Sequence, residues 1–185
     1  MIRIATVGTG WIVGEFLRGA KEVPEVEYVA CYSRGRERGE LFAREWGVQK
    51  VYTDLEQMAQ DDAIDAVYIA SPNSLHCAQA LCMLRAGKHV LCEKPMAATA
   101  QQARQMFRAA EENGVVLMEA MRSLYTPGFA RLCGLVQAVG PVRSARIPYA
   151  KYSSRYGLVC QGRPTNIFST EFATGALMDL SLIHI

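Results

Sequence analysis

No apolar run in the 185 residues approaches the roughly 18 that a membrane-spanning helix needs. The opening MIRIATVGTG has Arg3 inside its apolar run and glycines straight after it, which is a strand and turn, not a leader peptide. Charge of one sign is also scarce. A net charge of +2 is too small for an electrostatic claim on nucleic acid or a membrane surface, and neither partner is expected. There is no C-x-x-C pair, and the six cysteines (Cys31, Cys77, Cys82, Cys92, Cys133, Cys160) have no zinc-type spacing with the three histidines. No metal is expected. Most of these cysteines fall in apolar segments, as buried thiols of a reducing cytoplasm do. Internal repeats and low-complexity segments are likewise missing, so solenoid and linker architectures drop out. What is left is a globular chain, half of it hydrophobic and 21% charged, long enough for one domain and part of a second.

Apolar runs alternate with helical patterns up to about residue 120. Strands are expected at Ile2–Val7, Glu27–Tyr32, Lys50–Tyr52, Ala66–Ala70, His89–Cys92 and Val115–Glu119. Helices are expected near 11–20, 36–46, 54–60, 74–86 and 98–113, with Gly47, Gly87 and Gly114 as C-terminal breakers. Such alternation predicts an α/β fold, a doubly wound parallel sheet covered on both faces. The pattern changes after Arg122. Residues 128–138 read as one more helix, and PVRSARIPYAKYSSRY as a long strand alternating polar and apolar positions. Residues 1–122 are therefore expected to be one domain, and 123–185 the incomplete start of an α+β domain.

The chain opens on strand, glycine turn and helix. In GTGWIVG, Gly8 permits a tight turn and Gly10 lets the backbone approach a pyrophosphate at a helix N-terminus, where free N–H groups and the helix dipole favour an anion. Thr9, Trp11 and Ile12 complete the loop. The third position of G-x-G-x-x-G falls on Val13, with Gly14 one residue later, a tolerable departure because that glycine serves packing. Placed after the first strand of a strand–helix series, the loop indicates dinucleotide binding. The end of the second strand bears on which dinucleotide. Where an NAD site usually has an acid, this chain has Tyr32-Ser33-Arg34, with no acid before Glu37. Ser33 can hydrogen-bond a 2′-phosphate and Arg34 can pair with it, so NADP is preferred over NAD. The competing reading is that Arg34, Arg36 and Arg38 form a solvated helix start.

Ligands of a doubly wound sheet lie across the carboxyl ends of its strands. Ser71-Pro72-Asn73 ends the fourth strand, with His76 in the first turn of the next helix. Glu93-Lys94-Pro95 ends the fifth and falls near the nicotinamide end of the crevice. There a lysine can have a lowered pKa or hydrogen-bond a substrate oxygen. The bland alternatives are a surface turn for Lys94 and simple packing for His76.

With those residues in view, the chain resembles the glucose-fructose oxidoreductase, inositol dehydrogenase and MocA (Gfo/Idh/MocA) family. The matching stretches are VGTGWI, ASPNSLH, AGKHVLCEKPMA, VLMEAMRSLYTPGF, KYSSRY and NIFSTEFATGALMDL. The last two look closest to the dihydrodiol and sugar 1-dehydrogenase branch. The resemblance implies a Rossmann domain and hydride transfer between nicotinamide and a hydroxyl or carbonyl carbon of a sugar, polyol or cyclic diol. It makes Lys94 the catalytic lysine, with Lys94-Pro95 a candidate cis bond. It gives Glu93 a part in placing the nicotinamide, sets Asn73 and His76 close to the cofactor, and matches Asp179 to an active-site aspartate. It further implies a cytoplasmic homo-oligomer for the full-length protein. Arg122, Arg155 and Tyr156 are weaker substrate-side candidates. The pattern breaks after Asp179. A histidine or tyrosine is expected at position 183, where Ile183 stands, with His184 one place off. Residues 181–185 (SLIHI) are therefore expected to be foreign, and the chain as it stands to lack turnover. A non-catalytic dinucleotide sensor on the same fold is the rival reading, and the intact Glu-Lys-Pro argues against it.

Overall fold

The computed structural model describes residues 1–146, 148, 153–163 and 169–174. Its centre is a six-stranded sheet of β1 (Ile2–Val7), β2 (Val26–Tyr32), β3 (Lys50–Tyr52), β4 (Ala66–Ile69), β5 (His89–Glu93) and β6 (Leu117–Ala120). The strand order is β3-β2-β1-β4-β5-β6 and every pairing is parallel. The order reverses beside β1, the switch point at which such sheets open a crevice. Five helices make the crossovers: α1 (Trp11–Ala20), α2 (Arg36–Trp46), α3 (Leu55–Ala59), α4 (Asn73–Arg85) and α5 (Ala100–Glu112). Gly47, Gly87 and Gly114 all have positive φ just past helix ends, the role their positions predict.

Alternation along each strand divides the core into two. Val67 and Ile69 of β4, with Val90 and Cys92 of β5, pack under α3, α4 and α5 beside Met58, Met83 and Met106. Ile4, Cys31 and Tyr68 point to the other face, against Val13 and Leu17 of α1 and Phe42 and Ala43 of α2. Gly14 is the small residue of this second layer. A Cβ there would stand 3.2 Å from Trp46 Cζ2, so the packing role of the third glycine has moved one position along the helix. Gly39 of α2 is tighter still, with its would-be Cβ 2.6 Å from Val51 Cγ1.

One expectation needs correction. Among the described residues the sheet is not covered on both faces throughout, because α1 and α2 shield β1–β4 on their side and leave β5 and β6 open. Met118 is 45% exposed there, and a cleft of about 480 Å³ runs from Ile12 and Phe16 across Leu91 to Tyr125. The long strand expected at 141–156 lies in part outside the described residues, which omit 147 and 149–152. Residues 141–146 and 148 form no ladder, and Ser154-Arg155 turn into α7 (Tyr156–Cys160). The helix expected at 128–138 is present as α6 (Pro127–Val139), preceded by a 3-10 turn (Arg122–Tyr125), and has no buried residue. Cys133 and Cys160 are exposed, unlike Cys31, Cys77 and Cys92.

The amino edge of the sheet is held by charge. Arg3 donates through Nη2 to Asp65 Oδ1 at 2.6 Å and through Nε to Oδ2 at 3.0 Å. The Arg3 side chain, with the Arg3 N–H, holds the Asp65 carboxyl down at about 2. Lys50, Tyr52 and the Ala63 N–H lower Asp61 in the same direction. A depressed carboxylate adds stability above its unfolded value of 3.8, and that stability is lost as pH falls through the folded value of about 2. Asp65→Asn is therefore expected to flatten the fall in stability between these limits, read by urea titration at stepped pH. The effect is modest because the pair is partly solvent-exposed.

Candidate functional site

The loops that end β1, β2, β4 and β5 meet at the carboxyl edge of the sheet. After β1, Gly8 adopts φ +114 and its N–H donates to Tyr32 O, tying the loop to β2. A Cβ on Gly8 would lie 2.7 Å from Ala70 O, so only glycine lets β1 turn this close to the end of β4. Gly10 is the N-cap of α1, extended at φ −85 and ψ 172, with no side chain capping the helix. No atom lies within 4 Å of where its Cβ would be. This open space over unshielded helix N–H groups fits a phosphate-bearing ligand. Thr9 is partly buried, Ile12 lines the cleft, and Trp11 stands out 70% exposed as the first residue of α1.

After β2 the two residues expected to meet a 2′-phosphate part company. Ser33 is buried, its Cβ 3.1 Å from the Cβ that Gly39 lacks, so its side chain abuts α2. Arg34 is exposed, and Arg36 pairs with Glu40 along α2 at 3.7 Å. Of the two, Arg34 is the group open to a ligand.

The loops after β4 and β5 are tied together. His76, 1% exposed, has Nε2 at 2.9 Å from Ser71 O and Nδ1 at 2.8 Å from Pro95 O. Both partners are carbonyl oxygens, so the imidazole donates through whichever nitrogen carries the proton. The ring bridges the two loops. Ser71 Oγ donates to Gln79 Oε1 at 2.5 Å, Pro72 is the N-cap of α4, and Asn73 Nδ2 donates to Ala173 O at 3.1 Å. Asn73 thereby joins the sheet domain to the short 3-10 turn Thr170–Phe172, which packs on α4.

Glu93 is the last residue of β5, and the Lys94-Pro95 bond is cis. Glu93 Oε2 accepts the Lys94 N–H at 3.2 Å, while Oε1 accepts the Tyr68 hydroxyl at 2.6 Å. Met96 N donates to Glu119 Oε1 at 2.8 Å, so β6 also holds the turn. Tyr68 and Glu119 were not singled out from the sequence. The available signal was a phenol and a carboxylate near the carboxyl ends of apolar strands. Arg122 lines the cleft next to Glu93. Arg155 and Tyr156 begin α7. Asp179, Ile183 and His184 lie outside the described residues, and the described part of the site is built from the edge loops. Among the described residues, no group of three or more His, Cys, Asp or Glu is placed to hold a metal.

Comparison with known proteins covers the same ground. Residues 2–121 match the family model described as oxidoreductase family, NAD-binding Rossmann fold (GFO_IDH_MocA). The chain is 43% identical over 182 residues to scyllo-inositol 2-dehydrogenase (NADP(+)) IolU of Bacillus subtilis (strain 168), covering 98% of this chain and 56% of that protein. It is 36% identical over 149 residues to trans-1,2-dihydrobenzene-1,2-diol dehydrogenase of Oryctolagus cuniculus, covering 78% and 45% respectively. The solved structure of KijD10, a 3-ketoreductase from Actinomadura kijaniata in complex with NADP and TDP-benzene, superposes with a TM-score of 0.70. That match has 31% identity and covers 74% of this chain and 42% of the other. The chain spans about half the length of the curated relatives it matches.

Proposed function

The chain belongs to the Gfo/Idh/MocA oxidoreductase family, whose domain is an NAD-binding Rossmann fold, and from that premise we propose that it is the cofactor-binding part of an NADP(H)-linked enzyme. The reaction is hydride transfer to or from the hydroxyl- or carbonyl-bearing carbon of a sugar, polyol or cyclic diol. One observation carries the reading. The open helix start at Gly10 and the tethered Glu93-Lys94-Pro95 turn lie on the same sheet edge. Names of the relatives support the substrate class.

Gly8, Thr9, Gly10, Trp11 and Ile12 hold the pyrophosphate, and Arg34, with Ser33 behind it, selects the 2′-phosphate. Ser71, Pro72, Asn73, His76 and Glu93 shape the nicotinamide end. Bound there, NADP supplies the hydride donor or acceptor. Lys94 aims its ammonium at the substrate oxygen and polarises it, and Asp179 supports the proton path. Residues from 123 on begin the substrate and oligomerisation domain of a cytoplasmic homo-oligomer.

Absorbance change at the nicotinamide band with a sugar, polyol and diol panel tests the reaction in the chain extended to its relatives' full length. No change with any member of the panel overturns it. Cofactor choice is tested separately. NADPH is expected to bind more tightly than NADH, and Arg34→Ala to weaken NADPH roughly tenfold with little effect on NADH, as loss of a charge-assisted phosphate contact does. Superimposable titrations for both cofactors, unchanged in the variant, would remove the NADP preference.

A further inference from the structure

The cleft on the open face of the sheet ends at a side chain that the function above does not use. Tyr68 sits near the end of β4, is 2% exposed, and faces the α1 side of the sheet. Its ring stacks on Phe16 of α1, with centroids 4.0 Å apart and planes 18° from parallel. Its hydroxyl reaches across to the end of the neighbouring strand. Parallel pairing of β4 with β5 sets Tyr68 opposite Leu91, and the phenol spans the two further residues to Glu93.

We infer that Tyr68 is a positioning residue: by donating to Glu93 Oε1 at 2.6 Å, it holds this carboxylate at the nicotinamide end of the site. The inference rests on the dinucleotide reading above. Glu93 has two oxygens, and each is tethered, one by the Tyr68 hydroxyl and the other by the Lys94 N–H. A carboxylate held by one tether can swing; held by two it has one orientation. Phe16 restrains Tyr68 in turn. A chain of contacts therefore runs from the helix that receives the pyrophosphate, through Phe16 and Tyr68, to Glu93 and Lys94. Burial first, and then the bond to Glu93, push the Tyr68 phenol well above its ordinary pKa, so it remains a donor throughout the working range.

Tyr68→Phe keeps the ring and its stack on Phe16 and removes only the hydroxyl. Calorimetric titration of this chain and the variant, with NADP+ and with 2′-phospho-ADP-ribose, is the test. The second ligand is the same molecule without nicotinamide, so it reports on the phosphate helix and on general folding. The expected result is about tenfold weaker NADP+ binding in Tyr68→Phe, the scale of a hydrogen bond to a charged group. Affinity for 2′-phospho-ADP-ribose stays within about twofold. Adding Tyr68→Phe to Glu93→Ala should cause no further loss, because the hydroxyl then has nothing to position. Unchanged NADP+ affinity overturns the inference. So does parallel weakening of both ligands, which would make Tyr68 a packing residue, or an undiminished effect in the Glu93→Ala background. If the unaltered chain binds neither ligand, the dinucleotide reading fails and the inference with it.

Discussion

Lys94→Met is expected to lower kcat by about two to four orders of magnitude while leaving the Kd for NADP(H) within a few-fold. The separation follows from where the lysine stands. Gly8, Gly10 and the start of α1 lie at the end of β1, whereas Lys94 follows β5, two strands away in the sheet order β1-β4-β5. The backbone around Lys94 is tethered independently of its ammonium. Its N–H binds Glu93, Pro95 O binds His76, and Met96 N binds Glu119. Replacing the ammonium with a thioether of similar length therefore keeps these backbone tethers and removes the group proposed to act on the substrate oxygen in the transition state. Steady-state rates in the chain extended to its relatives' full length, with cofactor titrations alongside, check both halves. Ordinary turnover in the variant would make Lys94 a turn residue and nothing more.

The second large effect separates two glycines of one loop. Gly8→Ala is expected to cost on the order of 3 kcal/mol, from a strained left-handed backbone and a Cβ pressed against Ala70 O. For a chain of this size that corresponds to a Tm lowered by about 6–12 °C. The overlap is with backbone, and Ala70 N already donates to Val7 O at 2.9 Å, so relief would require β1 and β4 to part. Gly10→Ala should behave in the opposite way. Its φ of −85 suits any residue and its Cβ would meet nothing, so the fold should keep its Tm within about 2 °C. The new methyl would instead occupy the space over the helix start and weaken NADP(H) binding by tenfold or more, on the order of the contact it blocks. Thermal melts and cofactor titrations on the two variants give the comparison. Equal loss of Tm in both would show that the Gly10 space is structural rather than reserved for a ligand.

Local chemistry was sufficient for most of the elements. Helices α1 and α2 begin and end where their patterns place them, α2 at the positive-φ Gly47, because 3.6-residue periodicity and a glycine breaker are properties of a short segment. Strands β1 and β3 match for the same reason. β6 starts two residues late, at Leu117 rather than Val115, since Val115 serves instead to close the turn after α5 through its N–H to Ala110 O. The glycine loop and the Glu-Lys-Pro turn were legible because each is a contiguous string with its own chemistry.

What no local pattern contained was adjacency. The phenol of Tyr68 and the carboxylate of Glu93 are 25 residues apart, and Met96 and Glu119 are 23 apart. They meet only because β4, β5 and β6 are parallel neighbours in a definite register. On the other side of the sheet, the β3 neighbour and the α2 crossover bury Ser33 against Gly39 and leave Arg34 outside, a division that the dipeptide alone could not express. The cleft beside α1 over β5 and β6 exists because α1 and α2 cross over the rest of the sheet, and strand order decides that. Sequence alone determined the parts and the chemistry each part carries; the tertiary structure decided which parts touch, because hydrogen bonds and buried faces join residues that the chain keeps far apart.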